Sequence, residues 1–182
     1  MHDRHIAAFR AWRLTSPSDH MGPPQLRSST QPTYWPLQGP LEAACKCGWW
    51  RAQTQTPPHQ APCTLKEGGG CGIYGVYTPD SMVLRGMRGE AFVLGGVLMS
   101  GVKEFHTLGM RAQFARPLFL FEHLMERSPR WDNIVGKIAA NYGIPVVDPN
   151  YVLDLAAEFG ELIHPEEMQD GDSPQESEHR DL

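Results

Sequence analysis

Four cysteines and a histidine lie close together in the sequence and have the side chains that zinc prefers. The cysteines are Cys45, Cys47, Cys63 and Cys71, the only four in 182 residues, and His59 lies between them. A structural zinc ion takes four cysteine or histidine ligands in a tetrahedron. The glycines and prolines of this stretch suit an irregular loop that can bring such ligands together. We therefore predict a metal loop over residues 42–71.

Five candidate ligands compete for four zinc positions, so two ligand sets are reasonable. One set is Cys45, His59, Cys63 and Cys71, and the other is the four cysteines. Cys45 and Cys47 would point to opposite sides of an extended segment, which favours only one of them. We predict the first set, with Cys47 as the alternate. Four protein ligands make a closed structural site, without the open position that a catalytic zinc needs.

Aromatic and basic residues indicate a surface that binds a partner. Trp49 and Trp50 precede Arg51 in the polar metal loop, a composition typical of recognition surfaces. The alternative is that the two tryptophans pack over the zinc site. Residues 27–131 hold eleven basic and seven acidic residues, whereas residues 132–182 hold two and twelve. The basic body favours nucleic acid or another anionic partner. The predicted partner-binding residues are Trp49, Trp50, Arg51, Arg111 and Arg116.

Glu104, His106 and Arg111 are close in sequence around a predicted hairpin turn. A histidine beside a carboxylate can act as an acid or a base near neutral pH. The competing interpretation is a solvated turn, because no nucleophile stands beside them in the sequence.

The strands and helices that the sequence predicts around these residues indicate an α+β fold. We expect a small, bent, mostly antiparallel sheet or open β-barrel, the zinc-held loop and two C-terminal helices. The predicted strands cover residues 6–14, 72–77, 91–102 and 110–121, with a turn over 103–109. The first helix should start at Pro129 after Ser128 and stop at Gly143. The second should follow Asp148 and Pro149 and extend to about Ile163.

The predicted organisation is one zinc-containing domain over residues 1–163 and an acidic disordered tail over 164–182. Within the domain, the six prolines of residues 15–40 predict an extended connection, which Tyr34 and Trp35 attach to the body. The sequence has no apolar run of about 18 residues, and charges interrupt its first fourteen, so we expect a cytoplasmic protein without a membrane segment. Reduced cytoplasmic thiols favour zinc over disulfides.

Several motifs resemble those of a group of uncharacterised small bacterial proteins. The motifs are Phe9-Arg-Ala-Trp-Arg-Leu14, Tyr34-Trp-Pro36, His59-Gln-Ala-Pro-Cys63, Cys71-Gly-Ile-Tyr-Gly75, and Gly96-Val-Leu-Met-Ser-Gly-Val102 with Gly109-Met-Arg-Ala112. The likeness spans about residues 9–147. It implies the ligand set Cys45, His59, Cys63 and Cys71, with Cys47 as an extra cysteine in a lengthened loop. It implies no activity.

Three functions follow from the sequence as hypotheses. The first is a non-enzymatic recognition module, stabilised by structural Zn²⁺, that binds nucleic acid or another anionic partner. The second is a protein–protein adaptor that uses the acidic tail and the helix faces. The third is an enzyme that uses Glu104 and His106.

Overall fold

The computed structural model describes residues 4–15, 22–29, 33–44, 71–81, 84, 86, 91–122 and 129–168. Within them, seven strands form one mostly antiparallel sheet, and the helices α1 and α2 follow its long strands. The strands are β1 (Ile6–Leu14), β2 (Leu26–Ser28), β3 (Leu41–Glu42), β4 (Ile73–Val76), β5 (Phe92–His106), β6 (Gly109–Phe121) and β7 (Val146–Val147); the helices are α1 (Pro129–Tyr142) and α2 (Val152–Phe159). The α+β prediction is confirmed.

The sheet curves because β4 and β5 each pair with both β1 and β6. The pairing of β1 with β5 is long, whereas β1 meets β4 only at Phe9 and Val76. Because that contact is a single residue pair, the seven described strands do not make a clear barrel. The metal loop lies almost wholly outside the described residues.

Both faces of the sheet carry buried apolar side chains, and β1 shows this directly. Its residues alternate between two core clusters, with Ile6 and Ala8 in the first and Ala7 and Phe9 in the second. This alternation follows from the two-residue period of a strand. The first cluster also includes residues of α1, and the second includes residues of α2. A helix therefore packs against each face of the sheet.

The bounds of α1 agree closely with the sequence prediction, whereas α2 is shorter than predicted. Helix α1 begins at Pro129, and the positive φ of 64° at Gly143 directly follows its last residue. Helix α2 ends at Phe159 instead of continuing to Ile163, because Glu161 pairs with Ile6 of β1. No helix in the described part of the chain is long and apolar enough to cross a membrane.

The hairpin of β5 and β6 is longer than predicted. The predicted turn over residues 103–109 is wrong, since β5 continues to His106 and only residues 107 and 108 form the turn. Polar side chains are tolerated at this end of the strand because they lie on a partly exposed part of the sheet. Pro117 lies inside β6 beside a register shift at Gly96 and Val97, so it marks a bulge and not a strand end.

The proline-rich connection is attached to the body through Trp35. Its ring is buried and packs edge-on against Trp12, with ring centroids 5.3 Å apart. The hydroxyl of Tyr142 donates to the carbonyl oxygen of Trp35 (2.7 Å) and accepts from the backbone N–H of Leu26 (3.2 Å). Burial raises the pKa of Tyr142 to about 12. One hydroxyl at the end of α1 therefore bonds to two backbone groups of the proline-rich connection.

Replacing Tyr142 with phenylalanine should lower the free energy of unfolding by about 1–3 kcal/mol at neutral pH, because two backbone groups lose their partner. The wild-type advantage should shrink as pH rises from about 10 to about 12, since ionising the phenol costs more in the folded state than in the unfolded state. Urea denaturation at several pH values measures both effects. Tyr151→Phe, at an exposed tyrosine, is the control. Equal stabilities of the two variants would contradict the account.

Candidate functional site

The register of three neighbouring strands brings a set of polar and aromatic side chains together. Tyr74 of β4 lies opposite Arg111 of β6, and Arg111 lies opposite Glu104 of β5. His106 follows Glu104 by two residues and so lies on the same side of the sheet. Arg116 pairs with Leu98, which belongs to the second core cluster, and Val76 of β4 belongs to the same cluster. Because Val76 and Tyr74 are two residues apart on β4, Arg116 lies on the same side of the sheet as Tyr74. We call these five residues the Tyr74 face.

Arg111 is the buried centre of this face, with an exposed fraction of only 6%. Its guanidinium donates three hydrogen bonds. One Nη donates to Glu104 Oε1 (2.5 Å), the other Nη donates to the carbonyl oxygen of Cys71 (3.1 Å), and Nε donates to Nε2 of His106 (3.2 Å). A buried guanidinium keeps its charge and must be paired to be tolerated. The arginine therefore ties β4 and β5 to β6.

His106 has two neighbours that compete for the same ring nitrogen. Nε2 accepts from Arg111 Nε, which places the proton of a neutral ring on Nδ1. Glu104 Oε1 lies 3.3 Å from the same nitrogen and could accept from it only if Nε2 carried a proton. Since the lone pair of Nε2 accepts from Arg111, a neutral His106 has no proton at this nitrogen to donate to Glu104, and the enzyme hypothesis stays a prediction.

The rings of Tyr74 and His106 lie nearly parallel, with an angle of 14° and a centroid separation of 6.3 Å. The guanidinium carbon of Arg111 lies 5.6 Å from the centroid of the Tyr74 ring. Tyr74 is 42% exposed, and the His106 side chain is 41% exposed. The two rings therefore present a partly solvent-exposed aromatic surface beside a buried cation.

Gly109 of β6 allows β6 and β4 to approach each other closely. It lies opposite both Val76 and His106 in the register. A Cβ at this position would collide with the carbonyl oxygen of Gly75 and lie 2.9 Å from Cα of Val76. Both are backbone atoms, which cannot move aside without distorting the strand, so a larger residue would separate β4 from β6.

The backbone of Tyr74 is also held by Arg10 of β1. A guanidinium nitrogen of Arg10 donates to the carbonyl oxygen of Tyr74, and the guanidinium lies 5.4 Å from the centroid of Trp35. Burial lowers the pKa of Arg10 to about 10, which still leaves the group charged at neutral pH. Strand β4 is thus fixed by arginines from two different strands.

The structure places some of the predicted site residues and not others. Cys71 is half-buried just before β4, with its carbonyl held by Arg111. Arg111 is buried and Arg116 is exposed. The remaining predicted ligands and partner-binding residues, Cys45, Cys47, His59, Cys63, Trp49, Trp50 and Arg51, lie outside the described residues. Among those described, no three His, Cys, Asp or Glu side chains come close enough to hold a metal ion.

Tyr74 is a residue of this face that the sequence analysis did not single out. The sequence predicts its strand over residues 72–77 and assigns it no part in binding. In β4, Ile73, Gly75 and Val76 are buried and Tyr74 alone is exposed, a difference that the local sequence does not indicate.

Comparison of the chain with protein-family models, with curated proteins and with solved structures finds no match. The resemblance to small bacterial proteins therefore stays a prediction.

Replacing Arg111 with lysine should lower the free energy of unfolding by about 1–3 kcal/mol, because one ammonium cannot satisfy acceptors on three sides and leaves Glu104 poorly paired. Arg116→Lys is the matched control on the same strand, and it should change stability by no more than about 0.5 kcal/mol. Urea denaturation of both variants provides the comparison. If the two substitutions had the same small effect, the bonds of Arg111 would not stabilise the fold.

Proposed function

We propose that the protein is a non-enzymatic recognition module, stabilised by zinc, that binds single-stranded nucleic acid on the Tyr74 face. The observation that carries this proposal is the pair of nearly parallel, half-exposed rings of Tyr74 and His106 beside the guanidinium of Arg111. Unpaired bases stack on such rings regardless of sequence, and each stacked base contributes about 1–3 kcal/mol. A rigid strand is a good support for stacking because little conformational entropy is lost on binding.

The charges of the face are compatible with a polyanion. The ion pair with Arg111 offsets the negative charge of Glu104, so this carboxylate repels phosphates less than an isolated one would. Arg116 is exposed on the same side of the sheet, five residues along β6, at a distance of about 16 Å for an extended strand. It supplies a contact for a phosphate beyond the rings. Arg111 is buried and donates one hydrogen bond from each of its three nitrogens, so it is a positioning residue for the two rings.

The zinc part of the proposal rests on the ligand spacing and on the position of Cys71. Zinc would be held by Cys45, His59, Cys63 and Cys71, with Cys47 as the alternate. The bond from Arg111 to the Cys71 carbonyl attaches the end of this loop to the Tyr74 face. A zinc-held loop would therefore present Trp49, Trp50 and Arg51 from a segment joined to the same sheet, adding rings and charge to the binding surface.

Protein purified without a metal-affinity tag should contain about one zinc ion per chain, because four ligands complete one tetrahedral site. Elemental analysis gives this ratio directly. Cys63→Ser should reduce the zinc content substantially, since it removes a ligand of both candidate sets. Cys47→Ser and His59→Ala then distinguish the sets, because only one should lose zinc. Wild-type protein without zinc would contradict the prediction.

Single-stranded DNA or RNA of about 12 nucleotides should bind in a fluorescence-anisotropy titration, with an affinity that falls as salt rises. Tyr74→Ala should weaken binding about 5- to 150-fold through lost stacking, and Tyr74→Phe should retain most of it. Arg116→Ala should weaken all sequences alike and reduce the salt slope by about one.

Tyr151→Ala is the matched control, since Tyr151 is 64% exposed on another element and should not affect nucleic-acid binding. Absent or salt-independent binding would remove nucleic acid as the partner. Binding that Tyr74→Ala leaves unchanged would place the partner elsewhere on the protein.

A further inference from the structure

Helix α2 has an outer side that carries two acidic side chains, with exposed apolar side chains nearby. Val152 and Ala156 are buried in the second core cluster, and the opposite side carries exposed Asp154 and Glu158. Leu153 lies about 100° from Asp154 around the helix, on the side away from Glu158, and Tyr151 directly precedes the first residue of α2. Tyr151 is 64% exposed and Leu153 is 48% exposed. Exposed apolar side chains therefore lie near the acidic pair on this side of the helix.

Two features of the charges of this helix are unfavourable, although the helix dipole favours Asp154 in the first turn. Asp154 and Glu158 are one turn apart, a spacing at which like charges destabilise a helix by about 0.2–0.5 kcal/mol. Glu158 also lies in the last turn, where the helix dipole disfavours negative charge and where no basic residue is present. Among the described residues neither carboxylate has an ion-pair partner. A positive partner would relieve both costs.

The wider sequence around α2 has the same sign of charge. Residues 138–179 contain ten acidic residues and no lysine or arginine. A polyanion such as nucleic acid, or an anionic membrane surface, would be repelled by this region. The charge therefore selects a basic protein segment as the occupant, and the flanking tyrosine and leucine call for apolar side chains in that segment.

Helix α2 presents this surface in a fixed orientation. Glu161 follows Gly160 and forms two backbone hydrogen bonds, from Ala7 N of β1 to Glu161 O (2.9 Å) and from Glu161 N to the oxygen of His5, which precedes β1 (3.0 Å). Its side chain forms an ion pair with Arg4. Gly160 packs so closely that a Cβ there would lie 2.9 Å from both Ala7 N and Leu98 Cδ1. Binding to such a rigid surface loses little entropy.

We propose that the outer side of α2 is a second interaction surface, which binds a basic amphipathic segment of another protein. Lysine or arginine side chains of the segment face Asp154 and Glu158, and its apolar side chains cover Tyr151 and Leu153. This surface is independent of the Tyr74 face, because it uses different residues and the opposite sign of charge.

The probe is a synthetic lysine–leucine peptide of about 18 residues with helical spacing, titrated against the full chain by fluorescence anisotropy. Leu153→Ser should weaken binding about tenfold, and the double change Asp154→Lys with Glu158→Lys should weaken it further. Leu108→Ser, at a leucine that is 62% exposed in the hairpin turn, and Tyr74→Ala should leave the affinity unchanged. Thermal melts check that each variant remains folded.

Two further probes separate specific docking from charge attraction and from self-association. A peptide of the same composition with scrambled spacing should bind more weakly than the amphipathic one, and equal binding would overturn the proposal. An unchanged affinity of Leu153→Ser would overturn it as well. In sedimentation the wild type should be free of any dimer that depends on Leu153. A wild-type dimer that Leu153→Ser dissociates would mean that a second copy of the chain occupies the surface, and it would overturn the proposal.

Discussion

The guanidinium of Arg111 is the group on which the candidate site depends. From β6 it bonds to Glu104 and His106 of β5 and to the carbonyl of Cys71 before β4, and it lies beside the Tyr74 ring. A buried charge of this kind is stable only while its partners stay in place, and removal of one partner is costly. The positions of the two rings and of Cys71 are consequently linked through one side chain.

The rest of the fold explains why this group lies at the end of the sheet. The long pairing of β1 with β5 carries the two core clusters, and α1 and α2 pack one on each. The ends of β5 and β6 extend past this covered region as a hairpin with a two-residue turn. Polar and aromatic side chains can collect there because they remain partly solvated, apart from Arg111, which obtains its partners from neighbouring strands.

Local patterns predicted much of the fold. The proline after β1, the glycine-rich apolar run of β5 and the helix signals at Pro129 and Gly143 all act over a few residues, so they could be recognised in the sequence. The hairpin turn was misplaced because Glu104 and His106 are polar and resemble a loop. The sequence also brought Glu104, His106 and Arg111 together, but it could not identify Tyr74 as their neighbour. That contact depends on the pairing of β4 with β6, which no local sequence pattern indicates. The burial of Arg111 is not indicated by a local pattern either.

The exchange of the guanidinium Nε proton of Arg111 with solvent, followed by NMR, tests this account most directly. Arg116 in the same strand is an internal reference, because its side chain is exposed. If Arg111 is the buried centre of the site, its Nε proton exchanges much more slowly than that of Arg116, and His106→Ala accelerates it. Equal exchange of the two protons would show that Arg111 is solvated and does not hold the Tyr74 face together.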